Sequence, residues 1–193
     1  MTVTVLTGPS GVGKGTVVTR LIQQHPDIWL SVSVTTRPPR PGEKHGVNYW
    51  FISDEEFDAL VASDNLLEWA LVHGVHRYGT PRQPVLKALA EGRACLLELD
   101  LAGARRVRRT MPDSRTVFLM PPSRAELERR LRGRGTEGEA ELARRFRTAD
   151  EELAAASEFD EIIVNRDVAQ TCEELVGFMG LSPDIAGRDI QPD

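Results

Sequence analysis

Lys14 closes the run Gly8-Pro9-Ser10-Gly11-Val12-Gly13 and is followed by Gly15 and Thr16. Glycines at this spacing let a backbone turn its N–H groups inward. A helix N-terminus beyond them adds partial positive charge, and a lysine can reach the outer phosphates of a nucleoside triphosphate. Loops of this type usually carry Ser or Thr directly after the lysine; here Gly15 takes that place and the hydroxyl comes one residue later, from Thr16. A plain glycine turn between strand and helix is the alternative.

Further along, Arg37 and Arg40 lie three apart on a loop stiffened by Pro38, Pro39 and Pro41. Two guanidinium groups placed so close suit an anion between them, because each presents a planar fork to phosphate oxygens. The bland reading is a solvated loop with incidental charge. Glu68 interrupts the apolar run 66–72, and a carboxylate in that setting wants a partner. That partner is either a neighbouring arginine or the N–H groups of a bound base. Asp100 ends the apolar run 94–99, either as an acid at a ligand-bearing sheet edge or as the N-cap of the next helix. His73 and His76 are three apart on a turn-rich stretch with no third ligand near in sequence, and read as surface residues.

These groups need positioning elements. Residues 3–7 are short, apolar and β-branched, a buried strand leading into the glycine run, and 17–22 carry apolar residues at helical spacing up to Pro26. Strands are expected at 30–35, 45–52, 66–72, 94–100, 115–120 and 159–165. Helices are expected after Ser53, at 84–91, at 101–107, after Ser123 and at 169–178. Glu126 and Arg130 form an i,i+4 pair on the Ser123 helix. Glycines at 133, 135 and 138, with arginines on either side, describe a hinged flap.

The chain has 193 residues and a net charge of −5, which speaks against a general nucleic-acid surface. Cys95 and Cys172 make no disulfide framework and suit a reducing compartment. No run approaches the ~20 apolar residues of a membrane span, and nothing reads as a signal peptide. The cytoplasm is the expected location. Oligomeric state is left open between a monomer and a small homo-oligomer.

The stretches GPSGVGKGT, SVSVTTRPPRPGEKHGVNYWF, EWALVHGVHRYGT, LELDLAG, RLRGRGT and FDEIIVN together resemble the guanylate kinase family, in the family's order, over roughly residues 3–180. The resemblance implies an α/β fold: a P-loop NTPase-type parallel sheet flanked by helices, with an inserted mixed α+β acceptor segment and a mobile lid. It implies a core at 1–32 and 82–180, a GMP-binding segment at 33–81, a lid at 132–143 and a flexible tail at 181–193. The activity implied is transfer of the γ-phosphoryl of ATP to GMP or dGMP, giving ADP and GDP, with Mg²⁺ as cofactor and no nucleic-acid or membrane partner.

Residue by residue, the resemblance places Gly8, Pro9, Ser10, Gly11, Val12, Gly13, Lys14, Gly15 and Thr16 on the ATP phosphates and Asn165 near adenine. Ser33, Glu68, Thr80 and Asp100 match positions facing guanine, with Gly79 beside them. Arg37, Arg40, Tyr49 and Tyr78 match those holding the GMP phosphate. Lys14, Arg37, Arg130, Arg134 and Arg145 would neutralise the transferred group, and Thr16 with Asp100 would approach Mg²⁺, partly through water. Guanine's N1–H and 2-amino group are both donors, so one carboxylate can accept both, whereas adenine offers an acceptor at N1 and would leave it unpaired. Three departures stand out: Gly15 after the lysine, Ala102 where the family usually has Gln, and Pro81 where a hydroxyl residue is common. A silent interaction module of the same fold and a sibling kinase for a phosphorylated sugar are the competing readings. The first would not need Lys14, and the second would have no use for Glu68.

Overall fold

The computed structural model describes residues 2–72, 75–133 and 139–181, the side chains of 139–141 excepted. It is an α/β protein with a parallel sheet flanked by helices, and the chain folds as two compact units. The first joins the residues up to Val5 with Trp29–Ser114; the second joins Leu6–Ile28 with the chain from Arg115 onward. Among the described residues no helix is long and apolar enough to cross a membrane.

In the first unit, β2 (Trp29–Leu30) pairs in parallel with β7 (Cys95–Glu98). A second sheet runs β4 (Trp50–Phe51), β3 (Val34–Thr35), β6 (His76–Pro81), β5 (Leu66–Val72). The strand expected at 30–35 is thus two short ones, with the chain leaving one sheet at Leu30 and joining the other at Val34. Of the strand expected at 45–52 only Trp50–Phe51 joins the sheet. Conversely, His76–Pro81, read from sequence as turns, is a strand antiparallel to β5. It lacks apolar alternation because its inward residues Tyr78 and Thr80 serve polar partners, not a core.

Helix α2 (Asp54–Ala62) starts in a capping box: Ser53 accepts the Glu56 N–H at 3.1 Å and Glu56 accepts the Ser53 N–H at 2.8 Å. It brings Phe57 and, half-buried, Leu60 and Val61 onto Val34 and Leu66, the local core. Helix α3 (Arg82–Ala90) follows β6, and α4 (Leu101–Thr110) follows β7 and packs on β5.

In the second unit, β8 (Arg115–Met120) and β9 (Glu161–Val164) pair in parallel, and α1 (Lys14–Gln24) packs on α7 (Val168–Phe178). Helix α5 (Arg124–Arg132), capped by Ser123, carries Leu127 and Leu131 into a cluster with Leu142, Phe146, Ala149 and Leu153 of α6 (Glu139–Ala154). Buried strand β1 (Val3–Thr7) delivers the chain to Gly8.

Candidate active site

The glycine run is a turn that only these residues permit. Gly8 has φ +148°, and a Cβ there would lie 2.4 Å from the Leu119 carbonyl oxygen of β8. Gly13, also left-handed at φ 103°, opens α1, so the helix N-terminus faces the loop. The Val12 carbonyl is held from two sides, by Asn165 Nδ2 at 2.8 Å and by Arg130 Nη1 at 2.9 Å. Lys14 Nζ bends back to the Gly8 carbonyl at 2.5 Å. Gly11, Gly13, Thr16, Arg130, Asn165, Arg166 and Val168 enclose a cavity of about 300 Å³.

Arg130 donates through Nε to Glu126 at 2.8 Å, so the pair expected on α5 is formed. The guanidinium groups of Arg129 and Arg130 pull the Glu126 carboxyl down to about 2. Arg145 reaches the loop as well, its Nη2 donating to Ser10 Oγ at 3.2 Å. Arg134 lies outside the described residues, as do His73, residues 134–138 of the flap expected at 132–143 and the tail beyond Leu181; the flap's last residues, 139–143, are the first turns of α6.

The first unit holds a second cavity, about 310 Å³, lined by Ser33, Tyr49, Glu68, Ala70, Val72, Tyr78, Glu98, Leu99 and Asp100. Cross-strand register sets Glu68 opposite Thr80, whose hydroxyl donates to Glu68 Oε1 at 2.7 Å. Thr80 therefore acts from behind the cavity wall. Glu68 is 8% exposed, and burial pushes its carboxyl up to about 7; the negative charge of Asp100 adds to the effect, while the Thr80 bond and the charge of Arg106 oppose it. Among the described residues no arginine, the protein partner expected from sequence, hydrogen-bonds it; the Thr80 hydroxyl, not expected, does. Asp100 forms the N-cap read for it, its Oδ1 accepting the Gly103 N–H at 2.7 Å at the start of α4, and it also lines the cavity. Gly103 lets the two acids approach the helix start, since a Cβ there would be 3.1 Å from both Asp100 Oδ1 and Glu68 Oε2.

Arg37 is 8% exposed and nearly fully engaged. Its Nε donates to the Tyr78 hydroxyl at 3.0 Å, its Nη1 to the Pro38 carbonyl at 2.8 Å, and Nη1 and Nη2 fork onto Glu43 at 3.0 and 2.9 Å. The same fork holds the Glu43 carboxyl below the usual carboxylate range. Arg40 contributes its backbone N–H to Glu43 at 2.7 Å, and its side chain is exposed. The Arg37–Arg40 loop thus closes on a protein carboxylate, which sequence reasoning missed; the signal was an acid three residues beyond Arg40 in a proline-glycine turn. The Tyr49 ring lies against Tyr78 at 5.7 Å, and burial pushes its phenol pKa up, so it stands as a neutral donor.

Asn165, expected near adenine, lines the loop cavity and has both ends of its amide engaged by the protein. Besides the Val12 bond, its Oδ1 accepts from the Thr171 hydroxyl at 3.2 Å, and it is 3% exposed. Its visible work is to brace the loop. Among the described residues, no cluster of three His, Cys, Asp or Glu side chains could hold a metal ion.

The guanylate kinase family model matches residues 1–180. A guanylate kinase of Thermobifida fusca is 60% identical over 176 residues, covering 91% of this chain and 89% of the relative. One from Synechococcus sp. strain CC9902 is 58% identical, covering 92% and 95%. The crystal structure of guanylate kinase from Anaplasma phagocytophilum superposes with a TM-score of 0.75 at 32% identity, over 93% of this chain and 84% of that one. With a matching family model across both units and relatives at this level of identity, the chain belongs to the guanylate kinase family.

Proposed function

We propose that the chain transfers the γ-phosphoryl group of ATP to GMP, with the second unit's loop holding the donor and the first unit's cavity the acceptor. The observation that carries the acceptor half is the Glu68 carboxylate lining that cavity, with Thr80 bonded to one of its oxygens. Guanine N1–H and its 2-amino group are two donors on one edge, and a carboxylate accepts both. The hydroxyls of Tyr49 and Tyr78 beside Arg37 suit the phosphate of the monophosphate.

In phosphoryl transfer the protein aligns two anions and offsets their repulsion. Lys14, Arg130 and Arg145 stand at the loop for that purpose, and Arg37 for the acceptor; Arg134 and the flap are assigned the same role by the family resemblance. No side chain is required as general base. Mg²⁺ suits the donor set present: Thr16, which lines the loop cavity, would supply a hard hydroxyl oxygen, and the remaining shell would be phosphate oxygens and water, as this ion prefers. When bound, it would supply charge neutralisation. Cys95 and Cys172 are free buried thiols, which supports a reducing compartment, the cytoplasm.

A coupled assay with GMP, AMP, CMP and UMP as acceptors tests the reading. GMP is expected to be preferred by orders of magnitude, and an equal rate with another base would overturn it.

A further inference from the structure

Glu152 lies on α6, seven residues beyond Arg145, and its Oε2 accepts the backbone N–H of Ser10 at 3.2 Å. Arg145 reaches the hydroxyl of the same serine, also at 3.2 Å. Seven residues make nearly two helical turns, so the two side chains share one edge of α6, about 20° apart. That edge flanks the stripe Leu142, Phe146, Ala149 and Leu153, which packs on Leu127 and Leu131 of α5. The same leucines lie under the loop, since a Cβ at Gly11 would be 2.9 Å from Leu131 Cδ2.

Apolar packing seats α6 but is non-directional and leaves its rotation loosely defined. The polar contacts at Ser10 supply direction. A carboxylate beside a loop that takes a polyanion also opposes ligand charge, so its presence there calls for a compensating role.

We propose that Glu152 is a positioning residue for phosphoryl transfer: by accepting the Ser10 N–H it fixes the rotation of α6 against the loop, and so holds Arg145 where its guanidinium can exchange the Ser10 hydroxyl for a phosphate oxygen of the donor. This rests on the assignment of the loop to ATP.

Steady-state kinetics on the full chain, with ATP and GMP varied separately, test it. Glu152→Ala is expected to lower kcat about tenfold or more, with KM for GMP within about twofold of wild type. Glu152→Gln restores most of that loss, because an amide oxygen accepts the same N–H. Glu152→Asp does not, because its carboxylate is one methylene short. Since Glu152 acts through Arg145, the Glu152→Ala/Arg145→Ala pair is no slower than Arg145→Ala alone. Wild-type kcat in Glu152→Ala, no rescue by Gln, or losses that multiply in the pair each overturn the proposal. Should Glu152→Ala fail to fold, Glu152→Gln and Glu152→Asp decide it: equal rates for the two sink it. A wild-type chain that leaves GMP unphosphorylated defeats the functional reading itself, whereas an active one insensitive to Glu152 defeats this inference alone.

Discussion

The Thr80 hydroxyl hydrogen-bonds one oxygen of Glu68 at 2.7 Å from the neighbouring strand, fixing the carboxylate plane in the cavity wall. A carboxylate held in that way loses little freedom when a base edge arrives. Glu68→Ala should therefore cut kcat/KM for GMP by about a hundredfold or more, the scale of losing a charged acceptor for buried donors. ATP affinity, measured by calorimetry, should be unchanged. Thr80→Val, which keeps the shape and removes the hydroxyl, should produce a smaller loss of the same kind.

The raised Glu68 pKa gives two pH effects of opposite sign. In the folded chain the carboxyl keeps its proton up to about 7, against an ordinary value of 4.5. Between these the native state binds more protons than the unfolded one, so the group's contribution to stability is complete below the lower value and lost as pH rises toward the upper. Glu68→Gln should thus gain stability relative to wild type as pH rises through this window, then run parallel, as urea melts at about pH 5 and about pH 8 would register. The proposed acceptance of guanine's two donors by Glu68 calls for the ionised form. kcat/KM for GMP should climb through about pH 7 in wild type, and that step should vanish in Glu68→Gln.

Arg37 meets three partners from one planar group: Tyr78, the Pro38 carbonyl and Glu43. A lysine ammonium is a point charge and cannot reproduce this arrangement. Arg37→Lys should raise KM for GMP about tenfold or more while leaving KM for ATP within about twofold. Equal changes in both would show that the substitution disturbs more than the acceptor cavity, whereas a folding defect would lower the apparent kcat and leave both KM values in place.

Much of this was legible in the chain. The glycine run, the Ser53 capping box and the Glu126–Arg130 pair are local features, set by residues a few positions apart, and the structure has all three. Glu68 announced itself as an acid in an apolar strand. Its partner did not, because Thr80 is twelve residues away and meets it only through strand register. β6 was illegible for a related reason: a strand whose inner face serves a polar cavity lacks the alternation that periodicity detects. Glu43 and Glu152 likewise gain meaning only from what they touch, Arg37 in one case and the Ser10 N–H in the other.

Gly8 provides a steric test. Any side chain there would place a Cβ 2.4 Å from the Leu119 carbonyl oxygen at a φ of +148°, and backbone on both sides leaves no cheap escape. Gly8→Ala should lower the melting temperature and weaken ATP binding together. GMP binding by the folded fraction should persist. Retention of full ATP affinity would mean that the loop tolerates displacement of β8.

Asn165 offers a sharper discrimination, because its two ends do different jobs. The Nδ2 group donates to the Val12 carbonyl at 2.8 Å and the Oδ1 accepts from Thr171 at 3.2 Å, both in buried surroundings. Asn165→Asp preserves shape and keeps an acceptor for Thr171, but turns an acceptor toward the Val12 carbonyl, which Arg130 alone would then hold. Leaving a buried carbonyl opposite a like partner costs about 1–3 kcal/mol. Asn165→Ala removes the donor without adding repulsion, and Thr171 retains its bond to the Asp167 carbonyl at 2.7 Å. ATP affinity should therefore fall further in Asn165→Asp than in Asn165→Ala, with GMP affinity untouched in both. If the amide instead reads the adenine base, the two variants should weaken ATP and relax discrimination between ATP and GTP, while thermal stability stays at the wild-type value. Calorimetric titrations with both triphosphates, paired with thermal melts, separate the two roles.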